Sequence, residues 1–141
     1  MTDLIHLIYS STASVPMQPQ DLLGLVTKAQ EKNKRLEVTG VLLHNKDHFL
    51  QVLEGRRTVV DNLFRVIVKD PRHKDVTLLL KRRIPNREYD SWHMGFIDMH
   101  TINNSKLTTY APYLTESFNS PRFREIGFAS TLLKLLKTEL R

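Results

Sequence analysis

The chain has 141 residues, a length that predicts one domain with a single hydrophobic core and one or two appended helices. Its 40% hydrophobic and 26% charged residues are ordinary for soluble globular proteins, which excludes disordered and fibrous classes. No apolar run approaches the roughly 20 residues of a membrane span, and the N-terminus lacks a signal peptide pattern, so we expect a cytoplasmic protein. The net charge of +6 keeps nucleic acid open as a partner, while the absence of cysteine excludes disulfides and thiolate chemistry.

The N-terminal third predicts a strand followed by a helix. Leu4 to Ser10 is an apolar run with hydrophobic residues on both strand faces, so we expect both faces to be covered. A proline-containing loop follows, and Asp21 is a suitable cap for a helix that runs to about Lys34. Asn33 falls at the end of the apolar stripe of this helix, where the pattern predicts an apolar residue.

The stretch Thr39 to Gly55 has the pattern of a β-hairpin. Two apolar runs, Val41 to Leu43 and Phe49 to Leu53, are separated by a turn-forming polar cluster. Gln51 lies inside the second run, and strand alternation puts it on the same face as the apolar residues two positions away. Since an unsatisfied buried amide costs about 1–3 kcal/mol, Gln51 is expected to have hydrogen-bond partners in the fold or in something bound to it.

The next elements repeat the order of the first. Thr58 is a suitable cap for a second helix that ends at Asp70-Pro71, and strands are predicted at Val76 to Ile84 and Trp92 to Met99. The resulting order βαββαββ predicts an α/β (α+β) ferredoxin-like sandwich, with a five-stranded mixed sheet and two helices on one face.

We expect residues 1–100 to form the domain and residues 101–141 to form a helical extension. Four leucines of the extension recur at helical spacing, which predicts a helix that packs on the open face of the sheet: Leu132, Leu133, Leu136 and Leu140. Such a segment is also suited to carry a signal to a partner.

Several polar residues are predicted within or beside apolar layers, on the side of the sheet where the helices lie: Tyr9, Asn33, Gln51, Arg72 and His73. Each alone has an ordinary structural explanation, but together they are more polar than a plain core requires. The histidines lack metal-ligand spacing, there is no glycine-rich phosphate loop, and Glu54 and Asp98 are expected to be solvated strand ends. Neither a metal site nor an enzyme is predicted.

Four ordered segments together resemble the BLUF family of flavin-binding blue-light sensors. They are LIYxS in the first strand, TGVLLHNKDHFLQVLEG, DPRH at 70–73 and RRIPNREYDSWHMGF at 82–96, with Asn33 before the second. The resemblance covers about the first 100 residues. It implies non-covalent binding of FAD between the two helices, with FMN or riboflavin as substitutes, and no turnover of a substrate.

The resemblance also implies a role for each site residue. Excitation would move an electron and a proton from Tyr9 to the flavin, and the amide of Gln51 would rotate or tautomerise. Asn33 would bind the polar edge of the ring. The other implied cofactor contacts are Leu25 and Ile67 on the ring faces, Lys32 where some members have histidine, and Arg72 and His73 toward the ribityl and phosphate groups. The implied signalling pair is Trp92 and Met94.

We expect the signal to reach a separate partner protein, and we expect a homo-oligomer with no membrane association. The alternative is a basic ferredoxin-like nucleic-acid-binding module without a cofactor. Such a module would need aromatic side chains for base stacking on its central strands, and the predicted third strand has only Phe49.

Overall fold

The computed structural model describes residues 3–90, 92–98 and 133. In chain order the elements are β1 (Leu4–Ala13), α1 (Pro19–Leu36), β2 (Thr39–Asn45), β3 (His48–Arg56), α2 (Arg57–Lys69), β4 (His73–Arg83) and β5 (Gly95–Asp98). The strand order in the sheet is β4-β1-β3-β2-β5. All neighbouring strands are antiparallel except β2 and β5, which are parallel. The predicted ferredoxin-like fold with a five-stranded mixed sheet is therefore confirmed.

The main core lies between the sheet and the two helices. Residues from α1, such as Val26, and from α2, such as Val60, pack with Leu7 and Leu53 on the facing side of the central strands. Strand alternation places Ile8 on the opposite face, and its side chain is fully buried as well. Both faces of β1 are thus covered, as the sequence predicts.

Both helices begin earlier than the sequence pattern indicates. The cap of α1 is Gln18 rather than Asp21, because Pro19 has the fixed φ that suits the first helical position. Asp21 instead lies in the first turn and accepts a hydrogen bond from the Gln18 backbone N–H at 3.4 Å. The cap of α2 is Arg56 rather than Thr58. The backbone N–H of Arg57 donates to the Asp3 carbonyl at 2.8 Å, so this helix needs no side-chain cap there.

The last two strands also differ in extent from the sequence prediction. β4 begins at His73, three residues before Val76, because its pairing with β1 continues as far as Ala13. β5 begins only at Gly95, because Trp92 precedes the strand and its carbonyl accepts the Gly40 N–H at 2.8 Å.

The predicted C-terminal helices lie outside the described residues apart from Leu133, which is helical and fully buried. Within the described part of the chain, neither helix has the length and apolar character needed to cross a membrane.

Gly40 occupies a position that no other residue fits. Its φ is +152°, and an added Cβ would lie 1.9 Å from the Val52 carbonyl oxygen on the paired strand. We expect Gly40→Ala to lower the free energy of unfolding by about 3 kcal/mol or more in a urea titration, because backbone rather than a movable side chain is in the way.

Gly24 is the matched control for this prediction. It lies in α1 with no atom within 4 Å of an added Cβ, so Gly24→Ala should raise stability by about 0.5–1 kcal/mol. Equal effects of the two substitutions would contradict the assigned packing of Gly40.

Candidate functional site

A cavity of about 220 Å³ lies between α1, α2 and the sheet. This volume is several times that of a water molecule, whereas well-packed cores contain few voids larger than one. The cavity is lined by every residue that the sequence predicts for cofactor binding: Tyr9, Leu25, Lys32, Asn33, Gln51, Ile67, Arg72 and His73. Residues far apart in the chain thus meet at one place.

The central feature of the cavity is a hydrogen-bonded chain of three side chains. The Tyr9 hydroxyl donates to Gln51 Oε1, and Gln51 Nε2 donates to Met94 Sδ at 3.2 Å. All three side chains are at least 94% buried. The prediction that strand alternation buries Gln51 and provides it with partners is confirmed, since Tyr9 lies directly opposite it on β1.

Tyr9 remains protonated in this setting. Burial raises the pKa of its phenol above the ordinary value, and the negative charge of Asp70 adds to the increase. The ring packs beside Phe64, with the ring centroids 5.4 Å apart, and edge-on to His73 at 6.4 Å. Because Gln51 Oε1 faces the phenol and an amide oxygen can only accept, the protonated phenol is the donor in this hydrogen bond.

Asn33 contributes an amide nitrogen that has no partner among the described residues. The residue is 3% exposed, lines the cavity from the last turn of α1, and its Nδ2 has no hydrogen-bond partner in the described part of the chain. Its backbone carbonyl accepts the Val38 N–H at 2.8 Å, which holds the end of the helix in place. An unsatisfied buried donor costs about 1–3 kcal/mol, so this N–H is well suited to bind a ligand acceptor.

His73 and Arg72 are already engaged within the protein. His73 Nδ1 lies 2.9 Å from the Ser11 hydroxyl oxygen, and its Nε2 contacts the Ile67 carbonyl. The Arg72 Nε donates to both carboxylate oxygens of Asp70 at 3.0 Å. A direct polar contact from His73 to a ligand would therefore require exchange of an existing bond. Among the described residues, Arg72 Nη1 makes no hydrogen bond and can form a further contact.

Some lining residues were not predicted from the sequence, among them Ser11, Lys28, Phe49 and Asp70. Two of them had a usable signal in the spacing. Ser11 is two residues after Tyr9 on the same strand, and Lys28 is four residues before Lys32 on the same helix. Asp70 becomes a partner of Arg72 only because the chain turns sharply between α2 and β4.

Asp70 should give a small acid-dependent contribution to stability. The hydrogen bond from the Arg72 guanidinium lowers the pKa of Asp70 from 3.8 to about 2. The stabilisation is therefore present above the unfolded-state pKa and lost as the pH falls toward 2. It should stay below about 1 kcal/mol because the Arg72 side chain is 60% exposed.

Asp70→Asn tests this contribution. We expect urea titrations to show the variant slightly less stable than the parent chain at pH 6, with the difference shrinking from pH 4 to pH 3. A difference that stays constant over this pH range would contradict the ion pair.

Met94 and Trp92 occupy different environments. Met94 is 2% exposed and faces Gln51, and its carbonyl accepts the Gln30 side-chain N–H at 3.0 Å. Trp92 is partly exposed, and its ring lies so close to Gly95 that an added Cβ there would come within 2.0 Å of it. Of the implied signalling pair, Met94 is thus the residue whose side chain accepts a hydrogen bond from Gln51.

Glu54 corrects an expectation from the sequence. It was expected to be a solvated strand end, but it is 0% exposed and lies on the sheet face opposite Gln51. His6 Nδ1 lies 2.7 Å from its Oε2. The expectation was wrong because the connection between β4 and β5 folds over this end of the strand, which local sequence could not indicate.

Comparisons with known proteins agree with the fold and identify the family. The sequence profile described as "BLUF: Sensors of blue-light using FAD" matches residues 4–95. Photoactivated adenylate cyclase subunit beta of Euglena gracilis is 40% identical over 126 residues, which is 84% of this chain and 14% of the relative. The blue light- and temperature-regulated antirepressor BluF of Escherichia coli (strain K12) is 34% identical over 96 residues, which is 68% of this chain and 24% of the relative. The chain thus spans only a minor part of the length of both relatives.

Solved structures share the architecture of the described residues. The dark-state structure of the BLUF protein BlrB has a TM-score of 0.78 and 28% identity, and the match covers 98% of each chain. The photo-activated state of BlsA has a TM-score of 0.76 and 27% identity, covering 97% of this chain and 94% of that one.

The fold and the cavity define a ferredoxin-like domain with a ligand-sized, polar-edged cavity beneath two helices. The chain belongs to the BLUF family, the sensors of blue light that use FAD. The domain of this family is a flavin-binding sensor rather than an enzyme, although some relatives join it to a cyclase. The nucleic-acid-binding alternative is not favoured, because the single aromatic residue of β3, Phe49, is buried against the helices.

Proposed function

We propose that this chain binds FAD non-covalently in the cavity and signals blue light to a partner protein through Met94, β5 and residues 101–141. The observation that carries the proposal is the series of hydrogen bonds from Tyr9 through Gln51 to Met94. It joins the cavity to Met94, the residue directly before β5. A bound flavin would supply the absorption of blue light and an acceptor for one electron and one proton.

The lining residues suit a flavin ring, which is planar and apolar on its faces and has carbonyl and N–H groups along one edge. Leu25 on α1 and Ile67 on α2 line the cavity from opposite helices and would pack on the two faces. Asn33 Nδ2, which has no partner in the described part of the chain, would donate to a carbonyl of the polar edge. Tyr9 and Gln51 would lie at the reactive part of the ring.

The amide of Gln51 can act as a two-state switch. Tyrosine and glutamine each donate and accept, so a half-turn of the amide would present Nε2 to the Tyr9 oxygen in place of Oε1. The same half-turn would replace the N–H donor beside Met94 Sδ with an oxygen, and the 3.2 Å hydrogen bond would be lost. Rearranging one or two buried hydrogen bonds is worth ~1–3 kcal/mol, which is sufficient to shift the position of Met94.

The basic residues of the cavity lining favour a flavin that carries phosphate. Lys28 and Lys32 lie one turn apart on α1, and Arg72 also lines the cavity, with Nη1 outside its hydrogen bonds to Asp70. Negative phosphate groups would be stabilised beside these cations, so we propose FAD as the resident cofactor, with FMN and riboflavin as weaker substitutes. His73 would support this end by packing, since both of its ring nitrogens have protein partners.

Flavin binding can be measured directly by titrating the flavin-free full chain with FAD, FMN and riboflavin and following the quenching of flavin fluorescence. We expect all three flavins to bind, with riboflavin the weakest. A matched titration with Lys28→Gln should weaken the binding of FAD and FMN and leave riboflavin unchanged. Failure of all three flavins to bind would contradict the proposal.

The output of this chain is proposed to be a change in association with a partner protein, from a homo-oligomeric sensor. Among its relatives, one is a subunit of a photoactivated cyclase and another is an antirepressor, so the family domain acts on different effectors. A pull-down with the full chain under blue light and in darkness, together with light scattering for the oligomeric state, tests this part. A partner set and an oligomeric state that are identical in both conditions would contradict it.

A further inference from the structure

A second buried polar cluster lies on the sheet face opposite the cavity. Its centre is Glu54 on β3, which is fully buried between His6 on β1 and the connection from β4 to β5. His6 is 1% exposed, and its ring stacks on Tyr89 with the centroids 6.5 Å apart. None of these groups contributes to the cavity or to the chain from Tyr9 to Met94.

Glu54 holds the connection through two consecutive backbone groups. Its Oε1 accepts the Tyr89 N–H at 2.9 Å and its Oε2 accepts the Glu88 N–H at 3.2 Å. Arg87 strengthens the attachment, because its Nη1 donates to the Glu54 carbonyl at 2.8 Å and to the Thr39 hydroxyl at 3.0 Å. These three consecutive residues are therefore tied to the end of β3.

The connection between β4 and β5 leads directly to Met94, which contacts the Gln51 amide. The Tyr89 carbonyl accepts the Trp92 N–H at 3.0 Å, and the Trp92 carbonyl accepts the Gly40 N–H at 2.8 Å. Two residues later, Met94 Sδ lies 3.2 Å from Gln51 Nε2. Gln51 and Glu54 are on the same strand. β3 therefore holds the start of the connection through Glu54 and also carries Gln51, the side chain that Met94 contacts at its end.

We propose that Glu54 is a positioning residue, whose carboxylate holds the backbone of Glu88 and Tyr89 and thereby sets where Met94 lies against Gln51. A carboxylate suits this role because it has two oxygens and no donor, so it can accept both N–H groups together with the contact from His6. His6, Glu54 and Glu88 also offer groups within 4.8 Å of one another, as metal ligands would. The Glu54 oxygens already accept backbone donors, so we assign the cluster an anchoring role.

Glu54→Gln in the full chain tests the proposal, with Glu88→Gln as the matched control. The glutamine has one acceptor oxygen, so at least one of the two N–H groups loses its partner. Glu88→Gln makes the same chemical change in the β4–β5 connection, keeps an oxygen that can accept the 2.7 Å hydrogen bond from Arg82 Nη2, and leaves the Glu88 backbone N–H bonded to Glu54. The readouts are the rate of Met94 oxidation by hydrogen peroxide, measured by mass spectrometry, and acrylamide quenching of Trp92, the only tryptophan of the chain.

We expect Glu54→Gln to raise Met94 oxidation roughly tenfold and to increase Trp92 quenching, because a lost buried hydrogen bond opens the connection more often. Met17, on the loop before α1, should oxidise at its parental rate, whereas general loss of stability would raise both rates. Glu88→Gln should match the parent chain. Parental Met94 oxidation in a folded Glu54→Gln protein would overturn the proposal.

If Glu54→Gln fails to fold, Glu54→Asp keeps the charge and shortens the reach by one methylene group. Unchanged oxidation of Met94 in Glu54→Asp would likewise overturn the proposal. The inference has one photochemical consequence: the flavin-loaded Glu54 variant should return to the dark state at a changed rate. Only this consequence rests on the proposed function. The oxidation and quenching assays need no flavin, so a failure of flavin binding and a failure of the Glu54 role would be recognised separately.

Discussion

Tyr9→Phe is expected to retain flavin and to lose the light-induced shift of the flavin absorption band. The substitution keeps the buried ring and its packing beside Phe64 but removes the only protein donor to Gln51 Oε1 found in the described part of the chain. Without the phenol, the amide loses the hydroxyl that pairs with it in both orientations and that supplies the transferred proton. Absorption spectra of the flavin-loaded variant in darkness and under blue light provide the measurement.

Tyr89→Phe is the matched control, since Tyr89 is also a buried tyrosine of the sheet region whose pKa is raised by burial. It lies beside His6 on the face away from the cavity, so its variant should retain a full light-induced shift. We also expect Tyr9→Phe to lower the free energy of unfolding by about 1–3 kcal/mol, because Gln51 Oε1 is left unsatisfied. An undiminished reversible shift in Tyr9→Phe would contradict the role of the phenol.

Asn33→Leu is expected to change stability and flavin affinity in opposite directions. In the flavin-free protein it removes a buried donor that has no partner among the described residues, and it adds an apolar group to a lining that already contains Leu25 and Leu42. The free energy of unfolding should therefore rise by about 1–2 kcal/mol. Flavin binding should weaken by roughly 10- to 100-fold, because the donor is lost and the cavity is partly filled.

Asn33→Asp separates the two causes of weaker binding. It has the size of asparagine and leaves the cavity open, but it replaces the Nδ2 donor with an oxygen. Affinity should still fall at least tenfold, whereas the free energy of unfolding of the flavin-free protein should not rise. Parental affinity in both variants, measured by flavin titration alongside urea unfolding, would show that Asn33 does not contact the ligand.

The sequence was most informative where a polar residue falls at a position that a regular hydrophobic pattern would make apolar. Gln51 could be assigned to the core because strand alternation is strict, and Asn33 because it continues a helical stripe. Neither inference needs knowledge of what lies across the sheet. The hydrogen bond between Tyr9 and Gln51 does need it, because their pairing depends on the register of β1 against β3.

Features set by non-local contacts could not be predicted from local patterns. Glu54 is charged and ends a strand, which in most proteins places it in water, yet the connection between β4 and β5 buries it and supplies its donors. The start of α2 at Arg57 depends on the Asp3 carbonyl, more than fifty residues away. The hydrogen bond between Gln51 and Met94 likewise depends on the pairing of β5 with β2, which the local sequence does not indicate.

We propose that light reverses the hydrogen bonds of the Gln51 amide beside a bound flavin. The most direct test is the light-minus-dark absorption spectrum of the purified full chain loaded with FAD. We predict a shift of the flavin band to longer wavelength under blue light that reverts in darkness and can be repeated. A flavin-loaded protein with the same spectrum in light and darkness would contradict the claim.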